Sequence, residues 1–284
     1  LSVSVDKKGR LKMGFQAKKT NEVVDIETCQ VLPKHISDVL PMVKLLLQTL
    51  SDGGAAVRFV EFFNSRALVV LNICFIKKPS GYSLKQIETW FDKILGGVKQ
   101  VWQVWFQYGR EPSTALYPKD LPELKYGLPE FSVEMPYQPG DFTQINADLN
   151  AVMISRALRL LDIQPNDRVA DLFCGLGNFS LPMAKSGASV TGIEGLDSLV
   201  LRARQNALRN SCVKYVSFEV ADLLETDEQT VASWGVFDKM LLDPPRSGAY
   251  AVVKSLHTPY LPKKIVYVSC NPSTFARDAE VLVN

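Results

Sequence analysis

From Arg168 onward the chain alternates short apolar runs with stretches of helical period, and this constrains its fold more than any other feature. Runs at 168–173, 189–194, 215–220, 237–243 and 263–270 read as strands, and 178–186, 196–210 and 249–258 between them read as helices. Such an alternation predicts a doubly wound α/β sheet of parallel strands with helices packed on it. Just ahead, residues 147–161 place Leu149, Val152, Met153, Ala157, Leu160 and Leu161 at helical spacing, and Asp162 and Pro165 stop that helix.

The first half follows a different grammar. Segments 56–64 and 66–76 read as strands, 36–50 and 84–95 as amphipathic helices, and 101–107 as a strand of alternating aromatics, which together predict an α+β domain. Residues 112–139 are rich in proline with little periodicity, so the boundary is expected near Gly140, giving domains 1–139 and 140–284. A chain of 284 residues suits two domains, at roughly 100–200 residues each.

Composition narrows the function classes only a little. With 46% hydrophobic and 22% charged residues the chain can bury a full core. No apolar run reaches the roughly 18–20 residues of a membrane span, and no secretory pattern opens the sequence, so a cytoplasmic protein without membrane contact, monomeric, is expected. A net charge of +2 does not announce a nucleic-acid binder. Locally, Lys7, Lys8, Arg10, Lys12, Lys18 and Lys19 form a basic segment that either meets phosphate or simply solvates a strand. Cysteines 29, 74, 174, 212 and 270 are odd in number and include no short-spaced pair, which argues against a disulfide framework.

Two places carry candidate chemistry. The first is DLFCGLGNF (171–179), a strand running into a glycine turn and then a helix, where backbone amides can approach a ligand. Twenty-three residues past Asp171, at the end of the second strand, stands Glu194, where a doubly wound sheet places a carboxylate for ribose hydroxyls. Asp222 follows the third strand, where an adenine amino group would lie. A plain turn, a helix cap and an exposed loop carboxylate are the bland alternatives. The spacing alone fits NAD or S-adenosylmethionine; Ser180 stands where the third glycine of a dinucleotide fingerprint would be, which favours a cofactor without pyrophosphate.

The second place is the pair of strand ends LLDPPRSG (241–248) and VSCNP (268–272). The proline pair holds Asp243 rigidly at the mouth of the sheet, where open α/β folds bind ligands. Arg246 occupies the position at which methyltransferases acting on exocyclic nitrogens tend to carry an aromatic. Cys270 is aimed at the same crevice, ahead of a helix N-terminus that favours negative charge. A nucleophile there suits chemistry at uracil C5, which reacts only after a thiolate adds to C6; a buried small hydrophobe is the alternative for Cys270.

These motifs, with FTQIN (142–146), GIEG (192–195) and IVYVSCNPSTFARD (265–278), resemble the RNA uracil-5-methyltransferases along nearly the whole chain. The resemblance implies a Rossmann-like class I methyltransferase sheet, lacking its C-terminal strands, preceded by an α+β domain. It also implies Cys270 as nucleophile and S-adenosylmethionine contacts at Gln144, Phe173, Asn178, Glu194, Asp222 and Asp243. VVDIETCQVL (23–32) and LKMGF (11–15) are similar to the branch that acts on 23S ribosomal RNA and holds a four-iron four-sulfur cluster, which makes Cys29 the candidate cluster ligand. The other three cluster cysteines, the family's proton-accepting glutamate in an H-x-E-type motif and its small N-terminal RNA-binding barrel have no match, so a fragment or part of a longer chain is expected. A tRNA uridine methyltransferase, a non-catalytic RNA-binding relative and a nicotinamide oxidoreductase are the competing readings. His35 and His257 match no motif. Trp102, Trp105, Phe106 and Tyr108 are expected to feed a core rather than stack bases, and Phe142 is the better candidate for touching a uridine.

Overall fold

A computed structural model describes residues 1–283. It divides into two compact units, Leu1–Leu124 with Gln138–Gly140, and Lys125–Tyr137 with Asp141 onward.

The first unit is built on one mixed sheet of seven strands: β1 (Ser2–Val5), β2 (Leu11–Gln16), β3 (Val23–Asp25), β4 (Val57–Asn64), β5 (Val69–Phe75), β6 (Trp102–Tyr108) and β7 (Thr114–Tyr117), in the order β3-β2-β1-β4-β5-β6-β7. All pairings are antiparallel except β5 with β6, whose crossover carries a helix, as parallel pairing requires. Helices α1 (Lys34–Ser37), α2 (Leu40–Asp52) and α3 (Gly81–Ile94) complete the unit. The single helix expected at 36–50 is interrupted because Pro41 has no amide hydrogen and can sit only in the first turn of a new helix. α3 starts earlier than its apolar period because Ser80 caps it, its Oγ accepting from the Ser83 amide at 3.1 Å. Leu40, Val43, Leu47 and Leu50 of α2 and Ile87 and Phe91 of α3 pack on Val60, Val69, Leu71, Ile73 and Val104 of the sheet. Of the aromatic strand, Trp102, Phe106 and Tyr108 join this core as expected, whereas Trp105 does not and instead donates its indole N–H to Gln103 Oε1 at 2.7 Å.

The second unit opens with a hairpin, β8 (Lys125–Leu128) and β9 (Val133–Pro136), and continues through α4 (Ala147–Leu161), β10 (Arg168–Leu172), α5 (Ser180–Lys185), β11 (Ser189–Glu194), α6 (Asp197–Arg209), β12 (Val216–Val220), α7 (Glu228–Trp234), β13 (Lys239–Leu242), α8 (Tyr250–Ser255), β14 (Lys264–Tyr267) and α9 (Pro272–Val283). β10 to β14 form a wholly parallel sheet in the order β12-β11-β10-β13-β14. Ala170, Leu172, Ile193, Met240 and Leu242 bury one face under Val231 and Trp234 of α7 and Val252 and Val253 of α8.

The chain passes from the first unit to the second at 124/125, returns for 138–140 and crosses again at 140/141, beside the expected boundary at Gly140. Asparagines hold the proline-rich hairpin to the second unit: Asn210 exchanges bonds with the Glu134 backbone at 2.8 and 2.7 Å, and Asn206 donates to the Pro136 carbonyl at 3.3 Å. These pairings span 70 residues or more, beyond the reach of local periodicity. α7 has no counterpart among the expected helices, although Asp227 caps it through the Thr230 amide at 2.8 Å and Val231 and Trp234 give it an inward face.

Candidate active site

In the order β12-β11-β10-β13-β14 the chain leaves β10 in one direction for β11 and β12, then crosses to β13 on the other side. The strand ends flanking that switch, β10 and β13, are where an open parallel sheet forms a crevice. Leu172 and Leu242 lie in register there, and the Asp243 amide donates to the Leu172 carbonyl at 3.3 Å. Four of the expected residues, Phe173, Asn178, Glu194 and Asp243, come from strand ends and loops at or next to this edge.

Phe173 follows β10 directly with φ of 64°, a left-handed conformation that costs a bulky residue on the order of 1–3 kcal/mol. The bend allows the amides of both Phe173 and Cys174 to donate to the Ile193 carbonyl, at 2.9 and 3.2 Å. The chain then passes through Gly175, also at positive φ, where no protein atom lies within 4 Å of a Cβ position. Such a turn is open to a ligand in a way that a side chain would prevent. Gly177 is likewise a glycine for conformation, at φ of 94°, whereas Gly192 is a glycine for packing: a Cβ there would stand 2.6 Å from the Phe218 ring.

Glu194 is fixed by two backbone amides, Gly175 at 3.1 Å on Oε2 and Leu196 at 3.0 Å on Oε1. Each oxygen keeps a lone pair for a further donor. Asn178 is engaged more fully. It exchanges a reciprocal pair of bonds with Asn150 of α4 at 2.9 and 3.0 Å, and its Oδ1 also accepts from the Tyr126 hydroxyl at 2.7 Å. Most of its amide is thus spent on holding α4 and the hairpin to the glycine turn.

Asp171, in the sequence no more than the first residue of a motif, is the most unusual group here. It is fully buried, its Oδ2 accepts from Ser180 Oγ at 2.5 Å, and its Oδ1 has no partner. Burial, reinforced by the charge of Asp243, pushes its carboxyl up to about 7. Asp243 is pushed up to about 6 by burial. A carboxylate inside an otherwise apolar VADLF run is the signal that the sequence offers for it. Asp171, Glu194 and Asp243 therefore form an electrostatically coupled acidic cluster at the switch point.

Cys270 is exposed, three residues past the end of β14 and two before α9. Cys174 and Cys212 are buried in the same unit, and burial holds the Cys174 thiol well above its ordinary value. Gln144 is half-buried in the loop before α4, two residues ahead of the N-cap Asn146, and Phe142 in the same loop is 73% exposed. Asp222 is exposed after β12 and accepts from the Leu224 amide at 2.9 Å, a local turn. Cys29 lies in the first unit, half-buried, its amide donating to Ser37 Oγ at 2.9 Å. Among the described residues no group of three or more His, Cys, Asp and Glu side chains is arranged to hold a metal, and no helix is long and apolar enough to cross a membrane.

The family model for tRNA (Uracil-5-)-methyltransferases matches residues 130–284, more than half of the chain. The chain belongs to this family. It is 60% identical over 282 residues to the 23S rRNA (uracil(1939)-C(5))-methyltransferase RlmD of Neisseria lactamica, covering 99% of this chain and 62% of that protein. It is 44% identical to the protein of the same name from Chromobacterium violaceum, of which it covers 54%. The chain thus spans between half and two thirds of these relatives. The crystal structure of the Pyrococcus abyssi tRNA (uracil-54, C5)-methyltransferase in complex with S-adenosyl-L-homocysteine superposes with a TM-score of 0.71 at 24% identity, covering 99% of this chain and 68% of that one. The likeness shows the class I methyltransferase fold expected from the sequence.

Proposed function

We propose that the protein carrying this chain methylates C5 of a uridine in 23S ribosomal RNA, using S-adenosylmethionine and a covalent bond between Cys270 and uracil C6. The observation that carries this reading is the acidic cluster at the switch point together with an exposed cysteine past the end of β14. The donor set fits the cofactor, since a sulfonium and an ammonium are the partners that three coupled carboxylates, one with an unpartnered buried oxygen, would stabilise. Glu194 would take the ribose hydroxyls and Asp222 the adenine amino group, while Gln144, Phe173, Asn178 and Asp243 would complete the pocket. Asn178 would act mainly by holding the turn, given its bonds to Asn150 and Tyr126. When bound, S-adenosylmethionine supplies an electrophilic methyl group.

The chain's own part begins with Cys270. Its thiolate adds to C6, the C5–C6 electron pair moves into the C4 carbonyl as an enolate, and C5 becomes the nucleophile that accepts the methyl group. Loss of the C5 proton to a base then restores the double bond as the C6–S bond breaks. No described residue is assigned the role of that base. Phe142, exposed in the loop that carries Gln144, is suited to stack on the uracil. The names of the relatives matched along 99% of the chain favour 23S rRNA over tRNA.

The first unit is read as RNA-binding. An iron–sulfur cluster needs four thiolates, of which Cys29 is the one candidate this chain would supply to a cluster in the full-length protein; among the described residues no group of three or more His, Cys, Asp and Glu side chains is arranged to hold a metal. The test is a covalent adduct between the full-length protein and 23S rRNA fragments carrying 5-fluorouridine, whose C5 substituent cannot leave as a proton. A stable adduct that Cys270→Ala abolishes is expected; methylation that survives Cys270→Ala would overturn the mechanism.

A further inference from the structure

Cys270 is exposed, and its placement depends on the segments around it. The loop after β13 lies directly on α9, the helix that begins just past the cysteine. Arg246 offers its carbonyl to Asn271 Nδ2 at 2.9 Å and to Thr274 Oγ1 at 3.2 Å, and Ser247 offers its carbonyl to Arg277 Nη2 at 2.9 Å. The Arg277 guanidinium also covers the Tyr250 ring at 4.9 Å. Gly248, at φ of 80°, is where backbone meets helix: a Cβ there would stand 2.5 Å from Asp278 Oδ2 and 2.7 Å from Arg277 Nη2.

The Arg277 and Gly248 contacts lead to one carboxylate, Asp278. Asp278 is fully buried, and its Oδ2 accepts from the Tyr267 hydroxyl at 2.6 Å and the Ala249 amide at 2.7 Å. Its Oδ1 takes both Nε of Arg277 at 2.8 Å and Nη2 at 2.7 Å. Burial works to raise the pKa of Asp278, but the bonds from Tyr267, Ala249 and Arg277 outweigh it and hold the carboxyl below its ordinary value, so it stays ionised. Tyr267 is the last residue of β14, Ala249 closes the loop that begins at Asp243, and Asp278 belongs to the helix that follows Cys270. A buried carboxylate with four donors from three segments is a rigid junction, since breaking any arm leaves a charge short of partners.

We infer that Asp278, through Tyr267 and Ala249, is a positioning residue that fixes the Cys270 segment relative to the Asp243 loop. The inference rests on the assignment of Cys270 as nucleophile and adds that the geometry of attack is set from behind, by a group that touches neither substrate nor cofactor. Misplacement of a reacting atom by about 1 Å can cost on the order of a hundredfold in rate. The effect should therefore fall on the covalent step, because Asp243 is itself anchored by its amide to the Leu172 carbonyl of β10, which leaves cofactor binding at the ends of β10, β11 and β13 intact.

The experiment compares Asp278→Asn, Tyr267→Phe and Cys270→Ala in the full-length protein, reading adduct formation with 5-fluorouridine RNA, kcat and KM for methyl transfer, S-adenosylmethionine affinity and thermal melting. Tyr267→Phe removes one arm and keeps the ring against Phe275, so it reports even where Asp278→Asn does not fold. Expected are a fall in kcat and in adduct rate of about 10- to 100-fold for Asp278→Asn and about 3- to 10-fold for Tyr267→Phe, with KM and cofactor affinity within about twofold of the parent. Unchanged kcat in a folded Tyr267→Phe, or a loss of cofactor affinity matching the loss of kcat, overturns the inference. Methylation that survives Cys270→Ala removes the reading beneath it, which is a separate outcome.

Discussion

The two sheets tolerate buried polarity in different ways. In the first unit the fully buried polar group is Asn72 on β5, which donates to Glu61 opposite it on β4 at 3.0 Å and to Ser113 at 3.1 Å. What it leaves unpartnered is a neutral amide oxygen. In the second unit the fully buried group at the end of β10 is a carboxylate, Asp171, and the oxygen without a partner is one that shares a charge. An unpaired amide costs on the order of 1–3 kcal/mol, whereas an unpaired charge costs more unless it takes up a proton or a cation. The first arrangement is compatible with a purely structural sheet; the second, on the function proposed above, is completed by a ligand.

Cysteine reactivity tests this contrast most sharply. Cys74, on β5 between β4 and β6 in the first unit, has its thiol pushed up to about 12 by burial and then by Glu61. Cys270 is exposed. Alkylation of the native protein at pH 8 with iodoacetamide, read by peptide mass spectrometry, should modify Cys270 at least about a hundredfold faster than Cys74, Cys174 or Cys212. Comparable labelling of Cys74 would mean that the first unit opens as readily as the site itself.

Next in size is the acidic cluster. Asp243→Asn removes one of the three carboxyl groups without changing shape, and calorimetry on the full-length protein should show S-adenosylmethionine affinity lowered by about 10- to 100-fold, the worth of a charge-assisted bond. An affinity unchanged by that substitution would reduce the cluster to a structural feature like Asn72.

The parallel sheet is legible in the amino-acid sequence because it follows from alternation that is local along the chain, and Glu194, Asp243 and Cys270 stand at strand ends because a doubly wound sheet puts ligand groups there. What the sequence hides is long in range. The hairpin at 125–136 is fixed by Asn206 and Asn210, the network at Asp278 joins residues up to 30 positions apart, and the burial of Asp171 depends on neighbouring strands. Asparagine and aspartate look like loop residues in a linear reading, and only packing reveals which have been taken out of water.

The pH dependence of stability separates Asp171 from an ordinary carboxylate. Its folded pKa, about 7, lies above its value in an unfolded chain. Between about pH 4 and 7 the folded protein therefore holds a proton that the unfolded chain has lost, and stability falls as pH rises through this window; below and above it the group contributes no slope. The slope is at most about 1.4 kcal/mol per pH unit. Asp171→Asn has no such titration, so urea unfolding of parent and variant should diverge in favour of the variant from pH 4 to 7 and run parallel from 7 to 9. Curves parallel throughout would show that Asp171 ionises normally.

Asn72→Ala is expected to have the smallest effect and completes the contrast from the other side. It deprives Glu61 and Ser113 of a donor and removes part of a buried side chain, which together cost about 1–2 kcal/mol. Glu61 is only partly buried and can turn to water, which keeps the cost at the low end. Because Asn72 serves the first sheet alone, the loss should appear as a lower urea midpoint with cofactor affinity unchanged within about twofold. If Asn72→Ala instead weakens S-adenosylmethionine as strongly as Asp243→Asn does, the polar groups of the two sheets serve one site, and the distinction between a structural and a ligand-completed sheet fails.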